Sequence, residues 1–480
     1  MERTGELGLA SGAAQGLEAS RIGEELTTPI GSLVSKPPVA VRPEASVAEA
    51  ARAMRDAQST AALVTDEPPG IVTHRDLSER ALAAGVKPDT PVRDVMSRPL
   101  EALPASTPVF EALRRMLELG VHHLTVTRGA RVVGILRDTD LLRHQLRSPL
   151  PLLNRVEAIR RLADVPRDYS REVSSIAETL FSGGLGVAQI GEVLAAVSDA
   201  LARRLLELAE LELGPPPCPF AWIVLGSEGR REQVLLSDQD NALVYLEVAP
   251  HAGAYFQALS EVVVEGLIKA GFPRCPGDFM ATSWCKPLDE WEALFAQWVD
   301  VPEPQALLEA QIFLDFRVVH GGLSLEPLAR ILAAGGRRAR FLHNLARAVL
   351  RFRPPLGPLG RIRTAEGWID LKTGGIGAIV MLARVYALAG GATGGSTLER
   401  LEAATDAGTL SPAGAEILGE SFRFLTRLRL QEQLGSVRRG EGPSNRVRLD
   451  ALSPLERRRL GEALRAVRKQ QDAAALRFPG

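Results

Sequence analysis

Apolar and polar positions along the chain change rhythm three times. Between residues 27 and 147 short apolar runs alternate with helical patterns, and their order recurs. The first copy reads PVAVRPEASVAEAARAMRDAQSTAALVTD, then GIVTHRDLSERAL; the second reads PLEALPASTPVFEALRRMLELGVHHLTVTRGARVVGILRDTDLLRH. Each copy predicts an extended piece, a helix, two strands and a second helix, with a repeat of roughly 65 residues. Ser46 and Thr107 stand where a side-chain oxygen would cap the first helix of each copy.

Residues 148–217 carry apolar positions at three- and four-residue spacing and predict a helical connector, stopped by Gly214-Pro-Pro-Pro217. Over residues 218–325 the pattern becomes α/β. AWIVLG and NALVYLEV are buried-strand candidates, and residues 256–270 predict an amphipathic helix. From residue 326 to 480 the chain reads as helices broken by Gly/Pro turns. Residues 1–26, rich in Gly, Ala, Ser and Glu, predict a mobile tail or a short docking helix. The expected fold class is thus multidomain, part α/β and part α.

Composition narrows the function classes. The 480 residues are 45% hydrophobic and 24% charged, with a net charge of -1. With so weak a field and only 5% aromatic residues, nucleic acid is an unfavoured partner. The basic run Arg457, Arg458, Arg459, Arg465, Arg468 and Lys469 reads as the solvated face of a helix. Cys218, Cys275 and Cys285 match neither a zinc nor a disulfide spacing and are expected to be reduced thiols. No signal peptide and no uninterrupted apolar run of about 20 residues is apparent, so a soluble cytoplasmic protein is expected.

The chemistry concentrates in WIVLGSEGRREQVLLSDQDNALVYLEV, residues 222–248. Alternate residues of an extended chain share a face, so Asp238 and Asp240 aim together. Two such carboxylates repel, and a divalent cation, Mg²⁺ or Mn²⁺, relieves the repulsion. Gly226 and Ser227 are small enough to let backbone N–H groups approach a triphosphate, and Arg230 and Arg231 offer charge-assisted contacts. Asp370 and Lys372 fall at a helix start: Asp370 as a cap, or Lys372 as a phosphate or acceptor contact, are equal readings. Trp284, Trp291 and Trp298 recur every seven residues, as core packing does.

Gly-Ser followed by Asp-x-Asp on a strand resembles the signature of the DNA polymerase β-type nucleotidyltransferases. The longer GSEGRREQVLLSDQDN is similar to the transferase domain of the uridylyltransferase that modifies PII signalling proteins. The whole order, together with CPGDFMA (275–281), LDFRVVHG (314–321), WIDLKTGGIGAIVMLARVYAL (368–388) and RLQEQLGSVRRGEGPSN (429–445), resembles the bacterial CBS-linked nucleotidyltransferases with a C-terminal substrate-binding helical domain.

That resemblance implies an NTP donor, metal on Asp238 and Asp240, and a third carboxylate as general base. Asp278, expected on the next strand, is preferred; Asp315 is the rival. The repeats resemble a tandem CBS (Bateman) pair, which implies adenine-nucleotide binding and a homodimer. Gly70-Ile-Val-Thr73-His-Arg75-Asp76 matches the ligand-contacting pattern in full. In the second copy Arg137 replaces the hydroxyl residue ahead of Asp140. The alternative is that Asp76 and Asp140 only cap their helices. His122 and His123 are expected to be strand-end residues. Two functions remain open: a regulated transferase acting on an unidentified acceptor, a signalling protein being one candidate, and a non-catalytic adenine-nucleotide sensor working through a protein partner.

Overall fold

A computed structural model describes residues 26–34, 36–142, 150–235, 238–246, 250–302, 306–307 and 310–479. The expected tail lies outside this range, apart from Leu26. The chain divides into two compact units, residues 1–154 with 182–184, and residues 155–181 with 185–480.

The first unit contains the repeat. Copy one comprises β1 (Ala40–Val41), α1 (Val47–Asp56), β2 (Ala61–Val64) and β3 (Gly70–Thr73). Copy two comprises β4 (Ala102–Pro104), α2 (Val109–Leu119), β5 (His123–Arg128) and β6 (Arg131–Arg137). Both sheets have the same order and sense, a parallel pair followed by an antiparallel one. Ser46 caps α1 as expected: its hydroxyl accepts from the Glu49 N–H at 3.1 Å, and Glu49 reaches back to the Ser46 N–H at 2.7 Å. Thr107 does not cap α2. That helix starts at Val109 after Pro108 and has no side-chain cap; its first N–H donates to the Thr28 carbonyl at 3.0 Å, as the Val47 N–H of α1 donates to the Thr90 carbonyl at 2.9 Å.

The second unit is built around a four-stranded sheet. Its strands are β7 (Phe220–Leu225), β8 (Asn241–Tyr245), β9 (Cys285–Pro287) and β10 (Phe316–Gly321), in the order β10-β7-β8-β9. Every residue of β7 and β8 is buried. Both faces are covered, which is why these strands read as continuous apolar runs.

One face meets α3 (Tyr169–Ser182), α4 (Val187–Leu213) and α5 (Ala252–Lys269). The Tyr169 hydroxyl donates to the Val197 carbonyl at 2.8 Å, Phe220 packs on Phe256, and Asp199 pairs with Arg317 of β10. The stretch expected to be a connector is therefore a layer of this unit, because its apolar stripes need the sheet to bury them. The other face, through Ala221, Ile223, Leu225, Ala242 and Val244, joins one core with α6 (Leu288–Asp300) and the C-terminal helices. Trp291, Trp298 and Phe313 lie in that core, and Trp284 packs against it, so the tryptophan stripe is packing.

The C-terminal helices are α7 (Glu326–Gly335), α8 (Ala339–Val349), α9 (Gly377–Ala389), α10 (Thr397–Asp406), α11 (Pro412–Arg438) and α12 (Pro454–Arg477). Strands β11 (Trp368–Asp370) and β12 (Arg446–Arg448) pair antiparallel beside them. The 18 residues Lys372–Ala389 are long and apolar enough to cross a membrane, which the sequence reading overlooked, yet 72% of them are buried inside this unit. On α12, Arg457, Arg458 and Arg459 are exposed, as a solvated face requires.

Candidate functional site

The turn after β7 sets the site. Gly226 has φ +56°, and a Cβ there would meet Ile312 at 3.1 Å. Gly229 lies against the Asp315 carbonyl, where a Cβ would come within 2.2 Å. The backbone approach admits only glycine at 229, and a side chain at 226 would be strained by the positive φ and by Ile312. The Gly226 N–H donates to the Ile312 carbonyl at 3.2 Å, so this donor is already used within the protein.

Asp238 and Asp240 come just before β8 rather than on it, and still alternate. The Asp240 carbonyl accepts from the Leu225 N–H at 2.9 Å, fixing the carboxylate beside the glycine turn. A third group joins them: ligand atoms of Asp238, Asp240 and Cys275 all lie within 4.8 Å of one another. Asn241 brings Cys275 there. It is 1% exposed, its Oδ1 accepts from the Ala281 N–H at 2.8 Å, and its own N–H donates to the Phe279 carbonyl at 2.9 Å. The 275–283 loop is thereby tied to the start of β8.

Burial pushes the Asp240 carboxyl up to about 6; a hydrogen bond from Cys275 and the Lys372 charge oppose this, and Asp238 adds to it. Burial, reinforced by the bond to Asp240, holds the Cys275 thiol protonated, pushed up to about 12. Glu228 is 9% exposed, and its carboxyl is raised well above the usual range by burial, then by Asp240 and Asp199. One oxygen of Asp240 is buried with no hydrogen-bond partner. The two carboxylates, one with a buried oxygen that lacks a partner, fit a divalent cation, while the protonated Cys275 thiol serves Asp240 as a hydrogen-bond donor rather than as a ligand.

Asp240 lines a cleft of about 220 Å³, along with Gly226, Ser227, Arg230 and Lys372. The cleft is walled on its other side by α9 and α11. Asp370 caps as one reading held, accepting from the Thr373 N–H at 2.9 Å, while Lys372 lines the cleft as the other held. Arg230 is committed elsewhere, to Glu232 at 2.7 Å and to Asp315. Arg231 faces a separate cavity with Arg317 and Glu399 and is absent from the cleft lining.

The rival third carboxylate, Asp315, is 2% exposed and held by Arg230, Arg384 and Arg400. Burial works to raise its pKa, but the three guanidinium groups outweigh it and hold the carboxyl far below the usual range. Such a group does not accept a proton near neutrality. Asp278 sits on an exposed turn at φ +58° rather than on a strand, accepting from the Ser283 hydroxyl at 2.6 Å.

Cys275, Glu228, Arg384 and Arg429 escaped the sequence reading. Cys275 stood inside CPGDFMA, where attention went to Asp278. Arg384 is a lone cation within an apolar helix, which is itself a signal. Arg429, pushed down to about 10 by burial against the pull of Asp370 and Asp238, lines the same cleft.

In the first unit the repeat ligands are occupied by one another. Asp76 accepts from the Thr73 hydroxyl at 2.6 Å and the Ser97 hydroxyl at 2.9 Å. Asp140 is held by Arg137 at 2.6 Å. This is capping geometry in both copies. His122 bonds Asp138 and His123 bonds Thr60, at 2.8 and 2.9 Å, as strand-end residues.

Family comparisons agree with this layout. The model described as "Putative nucleotidyltransferase DUF294" matches residues 171–305. The "Putative nucleotidyltransferase substrate binding domain" matches 339–478, and the CBS domain matches 30–83 and 92–147. Curated relatives include an uncharacterized protein of Methanopyrus kandleri, 28% identical over 24% of this chain, and one of Methanocaldococcus jannaschii, 27% identical over 23%. The chain spans 60% and 63% of their respective lengths. Among solved structures, an uncharacterized conserved protein from Pyrococcus horikoshii is 30% identical, covering 25% of this chain and 95% of that one, with a TM-score of 0.24. A CBS domain protein from Pyrobaculum aerophilum, complexed with AMP, is 23% identical, covering 26% and 97%, with a TM-score of 0.22.

Proposed function

The chain belongs to the CBS-linked nucleotidyltransferase family, and from that premise we propose that its cleft transfers a nucleotidyl group from an NTP to an acceptor, with a protein side chain as one candidate. The observation that carries this reading is the Asp238 and Asp240 pair grouped with Cys275, with one Asp240 oxygen buried without a partner and Asp240 lining a cleft that also holds Ser227 and Lys372. A degraded site has no reason to keep a buried carboxylate oxygen without a partner, at a cost of roughly 1–3 kcal/mol.

Asp238 and Asp240 hold Mg²⁺ or Mn²⁺, which when bound supplies Lewis acidity at the reacting phosphate. Lys372 meets phosphate oxygens. Asp278 receives the acceptor's proton, since Asp315 is consumed by arginines and Asp278 shares the loop that delivers Cys275. The CBS pair binds adenine nucleotide through Thr73, Asp76, Arg137 and Asp140, and the ligand displaces the capping contacts those residues make with each other. The pair also associates as a homodimer, which light scattering at micromolar concentration checks.

Isothermal titration with ATP, AMP, UTP, CTP and GTP, with and without Mg²⁺, tests the whole scheme. A metal-dependent NTP site should vanish in Asp238→Asn/Asp240→Asn. A metal-independent adenine site should vanish in Asp76→Ala. NTP binding that survives the double substitution unchanged sinks the assignment of the cleft.

A further inference from the structure

The helical wall of the cleft carries polar groups that the transferase scheme does not use. Arg384 on α9 and Thr426 on α11 are 5% and 6% exposed. Both line the cleft, as does Gln311 on the segment leading to β10. Each has a buried polar atom without a hydrogen-bond partner: Nη1 of Arg384, Oγ1 of Thr426 and Nε2 of Gln311. Buried donors left unpaired are costly, and several converging on one cavity mark a place where a ligand supplies acceptors.

Charge selects the ligand class. Arg384 is gripped by Asp315 through Nε at 3.1 Å and through Nη2, which leaves Nη1 without a protein partner on a residue that lines the cleft. The surrounding cluster contains Arg230, Arg384 and Arg400 against Asp315 and Glu232. Three cations to two anions leave one positive charge in excess, and Lys372 and Arg429 line the same cleft. Two nitrogen donors and a hydroxyl in a positive wall suit an anionic, oxygen-rich group better than an amine or a neutral ring.

We propose that Arg384, Thr426 and Gln311 form an oxyanion subsite for the phosphate chain of the nucleotide, with Asp315 as the positioning residue that aims Arg384. This rests on the transferase reading and names the groups that receive the leaving end of the substrate. In the transfer, an acceptor oxygen bonds to the α-phosphorus while the bond from that phosphorus to the α–β bridging oxygen breaks. Pyrophosphate departs with the electron pair, and the subsite holds the charge that gathers on its oxygens.

Thr426→Val and Gln311→Leu are the decisive variants, because neither changes charge and each removes a group that is unpaired in the free protein. Thermal melting should stay at or above wild type for Thr426→Val, since an unsatisfied hydroxyl contributes nothing to the fold. Titration of the full chain with Mg²⁺ and pyrophosphate should show roughly ten-fold weaker binding in each variant. Uridine and adenosine should bind as in wild type. Arg384→Lys, which can still pair with Asp315, should weaken pyrophosphate at least as much. Pyrophosphate affinity unchanged in both neutral variants overturns the subsite. Nucleoside affinity that falls while pyrophosphate affinity holds overturns the phosphate assignment. The two readings fail separately: metal-dependent NTP binding that survives Asp238→Asn/Asp240→Asn removes the transferase site, whereas unchanged pyrophosphate binding in Thr426→Val removes the subsite alone.

Discussion

Asp315→Asn separates a structural carboxylate from a catalytic one. The side chain is 0% exposed and takes contacts from Arg230, Arg384 and Arg400, themselves 11%, 5% and 3% exposed. Asparagine keeps the shape but removes the counter-charge, leaving those buried cations facing Glu232 alone. Breaking a buried pair by removing one partner costs about 3–5 kcal/mol, and here three partners lose theirs. At roughly 2 °C per kcal/mol for a unit of this size, the melting temperature should fall by about 6–10 °C. Differential scanning calorimetry at pH 7 reads this directly. The pH dependence has a definite sign. The folded carboxyl is depressed, so its stabilisation is present above the ordinary value near 4 and is lost as the pH falls below it. The gap between wild type and variant should therefore be constant from neutrality to about pH 5 and narrow only in acid. A variant that melts within a degree or two of wild type while losing nucleotide transfer would refute this reasoning and make Asp315 the base after all.

Asn241→Ala leaves the Ala281 N–H unpaired in the core and loosens the loop that carries Cys275; a loss of about 1–3 kcal/mol in urea unfolding and weaker Mn²⁺ binding by titration are expected. His123, pushed down to about 4 by burial, is charged in the unfolded chain below pH 6.5 but not in the folded one. Its stabilisation is complete above pH 6.5 and lost as the pH falls toward 4, at most about 3 kcal/mol, and His123→Gln should flatten that slope in pH-dependent unfolding of the unit that contains both repeat copies. Ser46→Ala removes the cap of α1 and should cost about 1 kcal/mol in chemical denaturation.

Local pattern determined much of this protein. The repeat was visible because each copy must spell its strands and helices in the same order. Strands β7 and β8 were visible because a sheet covered on both faces tolerates only apolar residues. Asp238 and Asp240 were visible because alternation along an extended chain is a local property.

Features that join distant segments were not legible. Cys275 reaches the carboxylates because Gln239 bridges to Arg274 and Asn241 ties the 275–283 loop to β8. Asp315 and Arg384 are 69 residues apart and meet only when α9 packs beside β10. The sequence could rank Asp278 and Asp315 as rival carboxylates, but not reveal that three arginines surround one of them, because the charge balance of a buried group depends on which neighbours folding supplies. Thr107 looked like Ser46 in sequence, yet α2 begins after Pro108 and takes no side-chain cap. Residue types and spacing fix what a segment can form locally; which charges and donors remain unpaired in the cleft is decided by packing, since that alone sets what each group faces once water is gone.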